Sequence, residues 1–279
     1  MMALIAVCSA KGSPGVTTTA LALALRWPRR VLLAECDPAG GDLAAGFLRE
    51  VALDGRGLDR LTSTLARRPL TTNTLWNELV DLAPDGDSAR TKLLLPGLAD
   101  PAQAATWGEP QRTGQAAGWD QLAAQLPMIR DGAEEYDVIA DCGRLAAAHP
   151  ATPLITKADL VLLVLRPTLI SARAASAALQ HLLQPGRPPV ALVTIGDGSY
   201  RTKELALELR TPVAAALPDD TRSADALSQG STPRHGRLLR AAGRVEPAIR
   251  RICEEDGLPA ASPAVLGRRR VAEEAGVVH

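Results

Sequence analysis

The sequence lacks any apolar stretch near the roughly 20 residues needed to cross a bilayer. It has no C-x-x-C pair among its four cysteines (Cys8, Cys36, Cys142 and Cys253), and its 31 basic side chains are balanced by 31 acidic ones. Each absence excludes a class of function. Without a long apolar run the chain is expected to be soluble, or peripheral to a membrane at most. Without paired cysteine spacing it reads neither as a thiol-redox protein nor as a disulfide-stapled secreted scaffold, and a reducing cytoplasm fits best. Balanced charge sets up no global field toward nucleic acid or anionic membrane, so any contact of that kind must be local. No internal repeat is present. No basic leader precedes the first apolar run, "MMALIAVCSAKG", which enters a glycine loop instead of a cleavage site. That run reads as a strand.

What is present is alternation. Short apolar runs at 3–8, 31–35, 92–97, 136–142, 160–165, 190–195 and 213–217 are separated by stretches of helical period. Near-continuous apolar character suits strands buried on both faces, hence a parallel sheet between helix layers. The expected fold class is α/β, doubly wound, with a mostly parallel seven-stranded sheet flanked by helices. Helices are expected over Thr17 to Trp27, closed by Pro28, and over Thr168 to Leu183, closed by Pro185 and Gly186. The segment from Pro84 to Gly118, apart from its strand, is crowded with Pro, Gly, Asp and Thr. It reads as a long irregular excursion, a tolerated surface insertion before a partner-binding surface. One domain is expected over 1–256, followed by a mobile tail over 257–279.

The first strand runs into "AKGSPGVTTT" (10–19) and then a helix. That order builds a phosphate cradle: glycines let the backbone wrap closely, successive N–H groups point inward, and a helix N-terminus adds partial positive charge. Gly12 and Gly15 supply the flexible backbone, and Thr17 stands where a hydroxyl ligates Mg²⁺. After the second strand comes "ECDPAGGD" (35–42). A later one, "YDVIADCG" (136–143), brings Asp141 to a strand's C-terminal end, the edge where open parallel sheets bind ligands. Asp141 there can hold a Mg²⁺ shell, and Asp37 can orient a water toward a γ-phosphate. Glu35 and Asp37 also admit a plainer reading as solvated residues closing a strand. Cys8, Cys36 and Cys142 fall at strand ends beside this pocket, and packing accounts for them better than a thiol or metal site.

These motifs together resemble the MinD/ParA family of deviant Walker A P-loop ATPases. "KGSPGVT" is similar to that family's KGGVGKT loop, "VLLAECDPAGGD" to VLLIDADPQGN, and "YDVIADCG" to YDYIIIDTPP. "ADLVLLVLRPTLISARAA" (158–175) and "ALPDDTRSADALSQG" (216–230) resemble two later family segments, so the likeness runs over about residues 3–253. The resemblance implies ATP or ADP with Mg²⁺ as ligand, bound through Lys11, Gly12, Ser13, Gly15, Val16, Thr17 and Thr18. Thr17 and Asp141 would be on the metal, and Asp37 and Lys11 in catalytic roles, Lys11 matching the signature lysine that reaches a partner's nucleotide across a homodimer.

Three departures bear on function. Val16 stands where the loop's lysine is expected, deleting an ammonium that no neutral side chain replaces. Pro14 has no N–H, and "VTIGDG" (193–198) lacks the asparagine many relatives place on adenine. The leading reading is therefore a nucleotide-binding or pseudo-ATPase adaptor that positions or regulates another assembly through a protein partner. A slow Mg-ATPase acting as a dimerisation switch comes second, and an ATP-dependent synthetase or transferase on the same scaffold third. "HGRLLRAAGRVEPAIRRI" (235–252) is expected to put Leu238, Ala242, Val245, Ile249 and Ile252 on one helical face toward the sheet. Arg240, Arg244 and Arg251 on the opposite face read first as a solvated surface and second as a non-specific DNA contact. "GRRRV" (267–271) is too short and too poor in large apolar groups to resemble the membrane-targeting helix of MinD.

Overall fold

The computed structural model describes residues 3–12, 14–82, 90–110, 115–231 and 236–256. The elements follow as β1 (Leu4–Ser9), α1 (Val16–Arg26), β2 (Val31–Glu35), α2 (Leu58–Leu65), α3 (Thr72–Trp76), β3 (Val80–Asp81), β4 (Lys92–Leu95), α4 (Ala104–Gly108) and α5 (Gly118–Gln125). Then come β5 (Arg130–Asp131), β6 (Glu134–Glu135), β7 (Asp137–Arg144), α6 (Thr152–Thr156), β8 (Leu160–Leu165), α7 (Leu169–Leu182) and β9 (Val190–Ile195). The last elements are α8 (Thr202–Leu209), β10 (Val213–Leu217), α9 (Thr221–Ser228), α10 (Arg237–Ala242) and α11 (Glu246–Asp256).

One sheet carries the fold, in the order β10-β9-β8-β1-β7-β2-β4-β3, and every pairing in it is parallel except β3 on β4. All seven expected strands are present. The eighth, β3, has two residues and is too short to show a period in sequence. Alternate residues of β1 feed two cores: Leu4, Ala6 and Cys8 pack beneath α2, α4, α5 and α7, whereas Ile5 and Val7 pack against α1, α9 and α10. That two-sided burial is why the strands read as unbroken apolar runs.

Helix boundaries follow local chemistry. Gly15, at φ 99°, opens α1 without a side-chain cap, and Trp27 turns to ψ 132° ahead of Pro28. Thr168 caps α7, its hydroxyl accepting from Ser171 N–H at 3.3 Å. The helix expected across 235–252 is broken at Gly243 into α10 and α11, yet Leu238, Ala242, Val245 and Ile249 are buried as their spacing implied, and Ile252 is half-buried against the same core. Arg240, Arg244 and Arg251 are exposed.

The excursion from Pro84 to Gly118 is a correction. Residues 83–89 and 111–114 lie outside the described residues, but α4 between them plants Trp107 in the core, fully buried, 4.9 Å centroid to centroid from Trp119. Its indole N–H donates to Thr62 Oγ1 at 2.9 Å. A pair of buried indoles contributes far more apolar area than a surface insertion would. The 257–279 tail also lies outside the described residues. Among the described residues no helix is long and apolar enough to cross a membrane.

At the sheet edge away from the glycine loop, Asp137 is buried and fully engaged. Oδ1 accepts from Ala3 N–H at 3.0 Å, and Oδ2 accepts from the Trp27 indole at 2.7 Å and from Arg29 Nε at 2.8 Å. Arg29 reaches on to Glu246 at 2.5 Å, which also pairs with Arg250 at 2.7 Å. This chain of charges clamps α11 to the start of the fold.

Candidate functional site

The strand order reverses around β1: the chain leaves it toward β2 on one side and later returns to β8 on the other. Open α/β sheets bind ligands at such a switch point. The loop after β1 occupies it. Gly12 and Gly15 have φ of +78° and +99°, and a Cβ on either would meet nothing within 4 Å. Conformation, not crowding, is what requires glycine there. Lys11 and Gly12 are exposed, Thr17 and Thr18 half-buried in the first turn of α1, and Ser13 lies outside the described residues.

Val16 is 7% exposed, packed with Ile5, Val7 and Leu43 in the α1-side core. The residue in the lysine's place is thus a core residue. Lys11 stands to one side of the loop, at the end of an apolar groove of about 780 Å³ along α6 and α7 that includes Leu145, Ile155 and Ile170.

Three carboxylates converge below the loop. Asp141 is completely buried, and its Oδ1 accepts from Gly143 N–H at 3.0 Å. Among the described residues its Oδ2 is buried and makes no regular hydrogen bond, although the Thr17 hydroxyl stands close enough to favour the ionised form. Burial nevertheless pushes this carboxyl up to about 7, with Glu35 and Asp37 adding repulsion. Ser9 Oγ, at the entrance to the loop, is likewise buried and has no partner among the described residues. Two orphaned oxygens beside an open glycine loop fit a hydrated cation and its anionic ligand. The donors are all oxygen, the set Mg²⁺ prefers.

Asp37 is half-buried. Its Oδ1 accepts from Ala39 N–H at 2.8 Å, and its carboxyl lies against Gly143, where a Cβ would sit 2.1 Å from Asp37 Cγ. Gly143 has φ +59°, so both geometry and space demand glycine. Burial raises the Asp37 pKa, opposed by Ala39 N–H and the charge of Arg144.

Glu35 is not the solvated strand end that its plainer reading describes. It is 1% exposed, and its carboxylate accepts three backbone N–H bonds: Asp42 at 2.6 Å and Leu43 at 2.9 Å on Oε1, and Gly97 at 3.0 Å on Oε2. Burial raises its pKa and these bonds oppose the rise. Glu35 staples the loop after β2 to the loop after β4, and Gly41 and Gly97 leave it room. The strand-end cysteines match the packing reading: Cys8, Cys36 and Cys142 are buried and free, with pKa values raised by burial, Cys8 to about 12. Among the described residues no cluster of three or more His, Cys, Asp or Glu could hold a metal ion. A Mg²⁺ site here would lean on the nucleotide and water for its remaining ligands.

Sequence reasoning missed a second wall. A cleft of about 230 Å³ beside Pro14, Gly15 and Thr18 is closed by Arg166 and Asp219, which pair at 2.7 Å. Nothing in the local pattern announces that pair, because β8 and β10 are brought together only through β9.

No protein-family model matches the chain, and no curated protein matches it. Solved structures do. The cell division ATPase MinD of Pyrococcus furiosus superposes with a TM-score of 0.67 at 17% identity, covering 90% of this chain and 99% of that one. The septum site-determining protein MinD of Pyrococcus horikoshii, complexed with Mg-ADP, gives 0.65 at 16%, covering 89% and 96%. A ParA family ATPase from Chlorobium tepidum gives 0.65 at 17%, covering 89% and 98%. The chain therefore has the fold of the MinD and ParA ATPases, a P-loop α/β sheet with its glycine loop at the switch point.

Proposed function

We propose that the chain binds a Mg²⁺-nucleotide at the 10–18 loop and serves as a nucleotide-responsive adaptor that positions or regulates another assembly, with impaired ATP hydrolysis. The observation that carries this reading is the buried, unpartnered Asp141 Oδ2 beneath an open glycine loop and a helix N-terminus. The Mg-ADP of the Pyrococcus horikoshii relative supports the choice of ligand. In this reading Gly12, Ser13, Gly15, Thr17 and Thr18 cradle the phosphates, Thr17 and Asp141 face the metal, and Asp37 is placed to orient water. Bound Mg²⁺ would neutralise phosphate charge. Lys11, exposed at the loop's outer side, is available to a second copy across a twofold axis. The domain is taken as residues 1–256.

Titration of Mg-ATP and Mg-ADP by calorimetry, with molecular mass followed in parallel, tests the proposal. Binding with a shift toward dimer is the expected result, and no heat with either nucleotide overturns it. The second reading, a slow ATPase, rests on Asp37 being held against Gly143 at the loop. Mg-dependent phosphate release abolished by Asp37→Ala would establish it.

Val16 gives a further prediction. Val16→Lys restores an ammonium on the first residue of α1, and one charge-assisted contact contributes about 1.5–3 kcal/mol. Mg-ATP affinity is expected to rise at least about tenfold. The stem must leave a packed core to reach the phosphates, so a modest loss of thermal stability should accompany the gain. Calorimetry and a melting curve on the same sample check both.

A further inference from the structure

Loss of the loop lysine leaves an electrostatic problem. Glu35, Asp37 and Asp141 sit beneath the loop, and a triphosphate would bring more negative charge to them. Among the cations near the loop, Arg166 is held by Asp219 at 2.7 Å beside the second cleft, and Lys11 lies at the end of the α7 groove. Arg144 is placed differently. It is in register with Ser9, the residue that leads into the loop, and Leu145 N–H donates to Ser9 O at 2.9 Å, fixing the backbone on both sides of that register. Its neighbour Gly143 carries the Asp37 carboxyl against its Cα. The Arg144 side chain is exposed, at the last position of β7. Among the described residues it makes no hydrogen bond and no ion pair within 4 Å, while its charge still reaches Asp37.

We propose that Arg144 supplies the positive charge that Val16 removes from the cradle, binding the terminal phosphates of the nucleotide from the β7 side of the loop. This rests on the nucleotide-binding reading above. A guanidinium is suited to the task, since it stays charged and presents a planar fork of donors to phosphate oxygens. It would enter from the strand that carries Asp141, whereas a lysine at 16 would enter from the helix. The two charges are therefore alternatives for one ligand, and Gly143 lets the Asp37 carboxyl lie close enough for the charge of Arg144 to reach it.

The test is calorimetric titration of Mg-ATP and Mg-ADP into the full chain, into Arg144→Gln, Arg144→Lys and the double variant Val16→Lys/Arg144→Gln, and into Arg251→Gln as a control of equal net charge. Arg144→Gln is expected to weaken Mg-ATP at least about tenfold, more than it weakens Mg-ADP. Arg144→Lys should fall between it and the parent, and the double variant should regain the lost affinity, a gain that a misfolded protein cannot show. Equal affinity of the parent and Arg144→Gln within twofold, or an equal loss in Arg251→Gln, overturns the inference and leaves the nucleotide-binding reading standing. A parent chain that binds neither nucleotide overturns both.

Discussion

Replacing Glu35 by alanine is expected to destabilise the fold by about 3 kcal/mol or more, because three backbone N–H groups lose their acceptor in one step. Two effects oppose each other. Removing a buried carboxylate relieves a desolvation cost, which the upward pKa of Glu35 registers. Against that, hydrogen bonds to a charged acceptor contribute about 1.5–3 kcal/mol each, and an orphaned buried donor costs about 1–3 kcal/mol. The two buried donors, Leu43 and Gly97, together with the part-buried one of Asp42 outweigh one carboxylate. The loss should be local as well as global, with hydrogen exchange speeding up first at Asp42, Leu43 and Gly97. Since the same loop carries Asp37, nucleotide affinity should fall even in the fraction that remains folded. Glu35→Gln keeps one acceptor oxygen and should lie between. Urea denaturation placing Glu35→Ala within 0.5 kcal/mol of the parent would show that water replaces the staple at no cost.

Asp137→Ala is expected to cost about 3 kcal/mol, the low end of what breaking a buried ion pair costs. The Trp27 indole and the Ala3 N–H lose their acceptor, and Arg29 loses one of its two carboxylates. The low end applies because the Arg29 side chain is 38% exposed and keeps Glu246, so water screens what remains. Asp137→Asn retains acceptor capacity and should recover part of the loss. A denaturation midpoint that does not move in Asp137→Ala would mean that the clamp only orients α11 without stabilising it.

The sheet was legible because a strand buried on both faces writes its burial directly into composition, as β8 does with "LVLLVL". The glycine loop was legible because positive φ at Gly12 and Gly15 demands a residue type. Contacts made across loops were not legible. Glu35 looks like any acidic strand end until Gly97, 62 residues on, is folded against it. Gly143 shows no need for glycine until Asp37 lies on it, and Arg144 looks like surface charge until β7 pairs with β1. α2 did carry a signal, with Leu58, Leu61 and Leu65 buried at helical spacing, but it falls in a stretch whose strands are short and far apart. Trp107 was hidden by its turn-rich surroundings, since a five-residue helix gives no period to read.

The position of β1 at the centre of the sheet has a consequence for the chain as it emerges from the ribosome. Among the described residues β1 pairs only with β7 and β8, both made much later, so Leu4 waits for Val138 and Ile5 for Leu160. At about 5–20 residues per second, on the order of 10 s pass between the synthesis of β1 and that of either neighbour. During that interval Leu4, Ile5 and Val7 have no strand to pair with and no complete core to enter, although β2 can already pair with β4. The nascent protein is therefore expected to engage holding chaperones early, and to fold only after the 137–165 stretch has cleared the exit tunnel, when the centre of the sheet closes in a single long-range step.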